Sequence, residues 1–525
     1  RMSLRGAFAQ ILLALKRVVT RPRNSVVLVA ALYATAAVTV AKTRVTDPDV
    51  WWVSAAGREM RATGRVPSQN LFSYVEPLHA WLMHEWLLGP PYAAGLERFG
   101  PSVFVAIALG VLAVDMSLVL AATLGRSRTV PAGLFMAFCA IGGFGMRFLS
   151  ARPTGVALVF PMAMTLIAFA PRFTVVSVAL AALVELVWTN THGSFPLGIV
   201  LLGLAAVDAE VGGGPRDGDG GGRERVRRLA AVGAAAVVTC INPYGTALYG
   251  FVWNYFRGQD GIYKEIHAHI VEFGSMRSAW GSTVGPADLV AFAFFLVLAL
   301  AAALHPRHRL RATFCIAMLV LGAFQVRHLE LAGLLTCFLL LPYADDLAER
   351  WKLPDKPGRA WRVRAAAAIL PPALALGVAL FVQQHGLRSE EAWIAEGTEL
   401  VPSLADVPDG ARLYAPFQWG GFAIWYGFPR GIRVFFDPRN DCYTAGAFRR
   451  FDAFDLLATT PDQMRDILAT SDTNAVLVPA KHRLAALLAT EPGWKLRAEH
   501  GAYWTDEHGP IDDGQHSKWV LYTRN

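Results

Sequence analysis

The chain is 525 residues long, 54% hydrophobic and only 17% charged, with a mean hydropathy of +0.36. Soluble domains carry about 25% charged residues, so this composition excludes a plain soluble enzyme, a disordered scaffold and a collagen-like fibre. The 49 Lys and Arg exceed the 41 Asp and Glu by +8, an excess that the flanks of membrane helices explain without any nucleic-acid partner. The five cysteines, Cys139, Cys240, Cys315, Cys337 and Cys442, offer neither a disulfide framework nor zinc spacing.

In chain order, residues 1–24 place Leu4, Phe8, Ile11, Leu12 and Leu15 at helical spacing, with Lys16, Arg17, Arg21 and Arg23 following. That pattern predicts a cytoplasmic interfacial helix. A membrane helix needs about 20 mostly apolar residues. Eleven stretches qualify or nearly so: 25–42, 102–124, 130–147, 153–170, 173–189, 195–208, 229–241, 287–304, 312–326, 329–343 and 365–383. The expected fold class is therefore a polytopic α-helical membrane protein of about eleven spans, occupying residues 25–383, with a soluble mixed α/β domain at 384–525.

Lys and Arg are denser in the connections at 1–23, 209–228 and 344–364 than in those at 43–100 and 242–286. This bias puts the N-terminus in the cytoplasm, and an odd number of spans then puts the C-terminal domain outside. The stretch 209–228, with GGGPRDGDGGG at its centre, reads as a Gly-rich cytoplasmic loop. In the C-terminal region, RLYAPFQWGGFAIWYGF and GIRVFFDPR read as strands, as do NAVLVPA and WVLYTR, with helices near 462–469 and 482–490.

The residues that could carry chemistry gather on the outer side. DPDVWW, residues 47–52, sets Asp47 and Asp49 two apart beside Trp51 and Trp52. The acids could serve as a general base or hold a divalent cation, or one of them could cap a helix. The tryptophans could form an interfacial belt. WLMHEWL, residues 81–87, sets His84 and Glu85 in an apolar stretch, where ionisable groups are costly and usually functional. Arg147, Arg152, Asn190, His192, the NPYG turn at 242–245, Arg327, His328 and Glu330 all stand at span ends on one face. Arg and His so placed suit a phosphate ligand. Neither a Walker loop, a dinucleotide fingerprint, HExxH nor GxSxG occurs. That argues against an ATP-driven pump.

The stretch from Asp47 to Leu87 resembles the first outer loop of bacterial membrane glycosyltransferases of the GT-C fold. The resemblance rests on Asp47, Asp49, Trp51, Trp52, Gly57, Gly64, Pro67, the FSY at 72–74, Trp81 and the HEWL at 84–87. WTNTHGSF, INPYG and GGFAIWYGFPRGIRVFFDPRNDCY look like the same group. The resemblance implies an enzyme that takes sugar from a polyprenyl-phosphate carrier on the outer face of the bacterial inner membrane. Protein mannosyltransferases and lipid A aminoarabinose transferases are among its relatives. It implies Asp49, or else Asp47, as catalytic base in an inverting displacement, with Asp47 or Glu85 orienting it or holding a divalent cation. Arg152, His192, Arg327 and His328 would then neutralise the leaving phosphate, and Trp52 or Trp81 would stack on the sugar. The acceptor would be a glycan, lipid or protein. Val53 and Ser54 stand where oligosaccharyltransferases continue their WWD-type signature, which argues against transfer of whole oligosaccharides to Asn. Asp437 and Arg439 read as a structural turn pair. Two other classes compete: a lipid-linked saccharide flippase, which should carry charge mid-span, and a non-catalytic subunit of the same fold that binds a membrane partner.

Overall fold

The computed structural model describes residues 47–126, 151–211, 219–351, 404–456, 458–500, 505–506, 509–510 and 519–524. The interfacial helix expected at 1–24, the spans expected at 25–42, 130–147 and 365–383, and Arg147 lie outside the described residues. Among the described residues the chain divides into two compact units that are not collinear with it. One takes residues 105–245 and 270–351; the other takes 47–104, 246–269 and the C-terminal region from 404.

The first unit is helical. Each of the eight predicted spans that falls on described residues forms helix. Ser102–Arg126, Val175–Thr189, Pro196–Val211, Asp219–Val238, Pro286–Ala303 and Arg309–Phe324 are continuous. The stretch 153–170 is divided into Pro153–Ala157 and Val159–Ala168. Two windows, Ser102–Val119 and Pro286–Ala303, are long and apolar enough to cross a membrane, and Val326–Leu339 with Leu341–Arg350 forms a further pair bent by 53°. Val290 is 70% exposed, Val297 66% and Phe324 70%. Apolar side chains directed outward along apolar helices suit hydrocarbon as solvent, and the chain is a multi-pass membrane protein. Within these helices the buried Thr165 and Thr336 donate their hydroxyls to Pro161 O and Ala332 O, each at 2.7 Å.

Two sequence expectations change here. The stretch read as a Gly-rich loop at 209–228 is helical at both ends, since Pro196–Val211 runs into it and Asp219–Val238 starts inside it. The arginines after Gly222 propagate a helix that glycine alone would not favour. Charge is also found within the helices: Asp115 lies midway along Ser102–Arg126 and Glu185 within Val175–Thr189. Glu185 is 0% exposed, and neither of its oxygens has a hydrogen-bond partner among the described residues.

The second unit is built around the helix Asp49–Thr63, buried from Val50 to Gly57 and again at Met60. It ends at Gly64, whose φ of 68° is the left-handed conformation that glycine adopts without steric cost. It crosses the helix Gly89–Phe99 at two glycines: a Cβ on Gly57 would lie 1.9 Å from Gly89 O. Gly57→Ala is therefore expected to lower the thermal midpoint of the detergent-purified protein, at an overpacking cost of about 1–3 kcal/mol. Gly250→Ala, mid-helix with nothing within 4 Å of the added carbon, should leave the midpoint unchanged or raise it slightly.

The C-terminal region carries a five-stranded mixed sheet in the order β2-β1-β3-β7-β4. The strands are β1 (Arg412–Tyr414), β2 (Arg433–Val434), β3 (Ala475–Pro479), β4 (Trp494–His500) and β7 (Trp519–Arg524), while β5 (Thr505–Asp506) and β6 (Gly509–Pro510) form a separate ribbon. β1 is parallel to β2 and β3, and β7 is antiparallel to β3 and β4. The helices Pro461–Thr470 and Arg483–Leu488 stand where predicted. The strands expected within 412–428, with a turn at Gly420–Gly421, are corrected to β1 followed by a helix, Gly420–Gly427. Its Phe422, Ala423, Ile424 and Trp425 are all buried, and an apolar run without alternation does not distinguish a strand from a buried helix. That helix lies close on the first one, because a Cβ on Gly421 would meet Pro48 O at 2.2 Å.

Candidate functional site

Asp47 and Asp49 have separate roles. Asp47 Oδ1 accepts the backbone N–H of Asp49 at 2.9 Å and so satisfies an orphan donor of the first helical turn. The capping alternative is thus realised, and on Asp47. Asp49 occupies that first turn, and its Oδ1 accepts the indole N–H of Trp52 at 2.9 Å. Both acids are half-buried.

The tryptophans belong to the core and do not form an interfacial belt. Trp51 is 3% exposed, Trp52 6% and Trp81 3%. Trp52 meets Trp81 edge-on at 6.0 Å between ring centres, and Trp81 meets Phe72 at 6.2 Å. Trp51 packs between Phe104 and Phe422. This aromatic block fixes where the helix, and therefore Asp49, stands.

The HEWL stretch joins the same unit. His84 Nε2 lies 3.4 Å from Glu85 Oε1, and its ring packs on Phe251 at 4.9 Å. Burial opposes charge on His84, but the carboxylates of Glu85 and Asp441 outweigh it and raise the imidazole above its ordinary range. Glu85 is 7% exposed, and its Oε2 has no hydrogen-bond partner among the described residues.

The FFDPRNDCY loop holds the predicted turn pair in buried form. Arg439 donates from Nε to Asp437 Oδ1 at 2.7 Å and from Nη2 to Asp437 Oδ2 at 2.6 Å, and both side chains are 0% exposed. The Tyr443 hydroxyl also donates to Asp437. Arg439 Nη2 reaches Asn70 Oδ1 at 2.7 Å, and the guanidinium lies 4.7 Å from the centre of Trp81 and 4.9 Å from that of Phe72. The pair is a knot between the loop and the aromatic block.

In the helical unit the cations expected at span ends are partly brought together. Arg152 pairs with Glu272 through both terminal nitrogens, at 3.1 and 3.2 Å. Arg327 lies 4.3 Å over the ring of Phe273, and His328 Nε2 pairs with Gln325 Oε1 at 3.1 Å. Burial would raise the Glu272 carboxyl, but Arg152, Arg327 and His328 overcome it and hold the group below its ordinary range. Glu272 went unnoticed in the sequence, where VEF carries no motif. His192 is placed otherwise: its Nδ1 pairs with Ser194 Oγ at 2.8 Å, and that hydroxyl also accepts the Trp188 indole N–H at 3.0 Å. Asn190 spans Leu186 O and Ile241 O, at 2.8 and 2.9 Å. The stretch 188–194 thus ties a helix end to its neighbour. Among the described residues no group of three or more His, Cys, Asp or Glu side chains is placed to hold a metal ion.

No protein-family model and no curated protein matches the chain. Among solved structures it is similar to ArnT from Cupriavidus metallidurans bound to undecaprenyl phosphate, with 15% identity over 95% of this chain and 97% of that one and a TM-score of 0.49. It is also similar to the oligosaccharyltransferase AglB from Archaeoglobus fulgidus in complex with an inhibitory peptide and a dolichol-phosphate, with 12% identity over 88% of this chain and 70% of that one and a TM-score of 0.47. At such identities the likeness says nothing of individual side chains.

Proposed function

We propose that the chain is a membrane glycosyltransferase that moves a sugar from a polyprenyl-phosphate carrier to an acceptor hydroxyl on the outer face of a bacterial inner membrane. The carrying observation is Asp49, a half-buried carboxylate at the N-terminus of a buried helix, with one oxygen held by the Trp52 indole. A general base needs such a fixed, ionised acid. Asp49 accepts the proton of the acceptor hydroxyl as that oxygen attacks the anomeric carbon. The bond from that carbon to the phosphate oxygen breaks, and polyprenyl phosphate leaves with the electron pair. A single displacement inverts the sugar carbon. By itself the helical unit gathers Arg152, Arg327 and His328 about Glu272, a set of cations suited to a phosphate group. The site belongs at a membrane surface because a carrier chain is held in the bilayer by about 0.8 kcal/mol per CH₂. Eleven spans with the N-terminus in the cytoplasm remain the topology of this proposal. Asp47 is engaged at the start of the helix, so a divalent cation at Asp49 would take most of its ligands from substrate and water.

The test is release of undecaprenyl phosphate from a panel of undecaprenyl-phosphate sugars, by protein reconstituted in vesicles with cell-envelope acceptors. Arg327→Gln is expected to raise the donor KM about tenfold or more, the loss of a charged hydrogen bond worth about 1.5–3 kcal/mol, with a smaller change in kcat.

One observation favours a second reading. Glu185, buried within an apolar helix and without a hydrogen-bond partner among the described residues, is the kind of intramembrane acid that marks transport pathways. A flippase would move a fluorescent lipid-linked saccharide across the vesicle membrane without releasing phosphate. Glu185→Gln would stop that movement and Asp49→Asn would not.

A further inference from the structure

The Arg152–Glu272 pair joins two stretches whose backbones are fixed separately. Pro153 disfavours helical backbone at the residue before it, and Arg152 takes φ −55° and ψ 140° as the helix Pro153–Ala157 begins. Its neighbours Ala151 and Pro153 are buried, so the guanidinium extends from a held stretch of chain. Glu272 stands in the 3-10 turn Val271–Phe273. Just after that turn two backbone bonds clip the chain to the end of the helix Arg309–Phe324. Met276 N–H donates to Ala323 O and Val326 N–H donates to Gly274 O, both at 2.9 Å. Phe273 is 6% exposed and holds the Arg327 guanidinium 4.3 Å from its ring centre. Glu272 and Arg327 are thus carried by one clip, and Arg152 comes to Glu272 from another element.

Arg152 donates from Nη1 to Glu272 Oε2 at 3.1 Å and from Nη2 to Oε1 at 3.2 Å. This is the parallel fork that a guanidinium makes with a carboxylate or a phosphate alike. Both bonds exceed the about 2.7–2.9 Å of a strong charge-assisted pair, and the two side chains are 32% and 31% exposed. The Arg439–Asp437 pair shows the contrast, with bonds of 2.7 and 2.6 Å and 0% exposure on both sides. A pair closed to water in that way is a fixed part of the fold. A pair open to water contributes little and exchanges partners readily. The charges point the same way. Arg152, Arg327 and Glu272 sum to one net positive charge, which suits a phosphodiester with its single negative charge. A phosphate monoester carries about −1.5 to −2 near pH 7 and calls for the second cation that Glu272 otherwise neutralises.

We infer that Glu272 is a positioning residue for the phosphate of the carrier: its carboxylate holds the Arg152 fork in the resting protein, yields it to the phosphate as the leaving group gains its second charge, and reclaims it as polyprenyl phosphate departs. Glu272 touches no reacting atom in this scheme and exchanges no proton; it acts through Arg152. Its purpose is release, because a phosphate held in an uncontested fork dissociates slowly. This inference rests on the glycosyltransferase reading, but phosphate binding tests it without turnover.

The full-length protein would be purified in detergent and its affinity for farnesyl phosphate, a short polyprenyl phosphate, measured by calorimetry, with farnesol and inorganic phosphate for comparison. Glu272→Gln is expected to bind farnesyl phosphate about fivefold or more tightly than the wild type, the strength of a partly exposed pair. Glu272→Ala is expected to show the same gain, so the result does not hang on one variant. Arg152→Gln is expected to bind more weakly, and adding Glu272→Gln to it should bring no gain. Unchanged or weaker binding in both Glu272 variants overturns the inference, while wild-type binding that Arg152→Gln weakens leaves the glycosyltransferase reading standing. A gain that survives in the Arg152→Gln background makes Glu272 a general repulsive charge and also overturns the exchange. A gain for farnesol, which has no phosphate, or inorganic phosphate bound as tightly as farnesyl phosphate, removes the carrier as the occupant of the fork. Absence of farnesyl phosphate binding in the wild type and every variant overturns the phosphate site and the inference together. With undecaprenyl-phosphate sugars, kcat and KM are both expected to fall in Glu272→Gln as release slows. A raised KM would make Glu272 a donor contact and overturn its exchange with the phosphate.

Discussion

Asp49→Asn is expected to lower release of undecaprenyl phosphate about 10²–10⁴-fold, the usual contribution of a positioned general base. The carboxamide matches the carboxylate in shape, and its oxygen can still accept the Trp52 indole N–H that Asp49 Oδ1 accepts at 2.9 Å. The fold should therefore persist, with a thermal midpoint close to that of the wild type, and the loss should fall on kcat. Asp47→Asn is the informative contrast. Its Oδ1 accepts the Asp49 N–H, and Asn caps helices about as well as Asp, so most activity should remain. Full activity in Asp49→Asn would refute the proposed base. Loss in Asp47→Asn alone would exchange the two roles.

The second large effect concerns stability. Arg439→Met removes the partner of Asp437, which is 0% exposed, and leaves its carboxylate buried with only the Tyr443 hydroxyl and the backbone N–H of residue 439 as hydrogen-bond donors among the described residues. Breaking a buried pair from one side costs about 3–5 kcal/mol. The variant is expected to melt far below the wild type in detergent or to fail to accumulate. Arg439→Met combined with Asp437→Asn should recover much of the loss, because the uncompensated charge is gone. A single variant as stable as the wild type would mean that the knot between loop and aromatic block carries no energy. The Tyr443 hydroxyl and Asn70 also bond to this pair, so the two substitutions should be non-additive.

Much of this protein was legible in the sequence, for local reasons. Every expected span on described residues is helix, because hydropathy over a window reports its own environment. Asp47 read correctly as a capable cap because capping involves only the next few residues. The helices at Pro461–Thr470 and Arg483–Leu488, β3 and β7 were marked by their own periodicity and flanks. The pairing of Asp437 with Arg439 spans two residues and was read as a turn pair. The apolar run through Phe422 and Trp425 was misread because burial on all sides erases the alternation that separates strand from helix.

Tertiary structure decided what meets what. Arg152, by sequence a candidate phosphate ligand, faces Glu272, 120 residues on. Arg439 reaches Asn70 over a separation of 369 residues. The first loop and the C-terminal region, expected as separate domains, share one compact unit. The composition and periodicity of this chain determined that it lives in a membrane, where its helices run and which side chains could do chemistry, because those depend on neighbours in sequence. The charge that each of those side chains carries, and the partner that fixes it, depends on groups delivered from hundreds of residues away, and only the folded path of the chain brings them within reach.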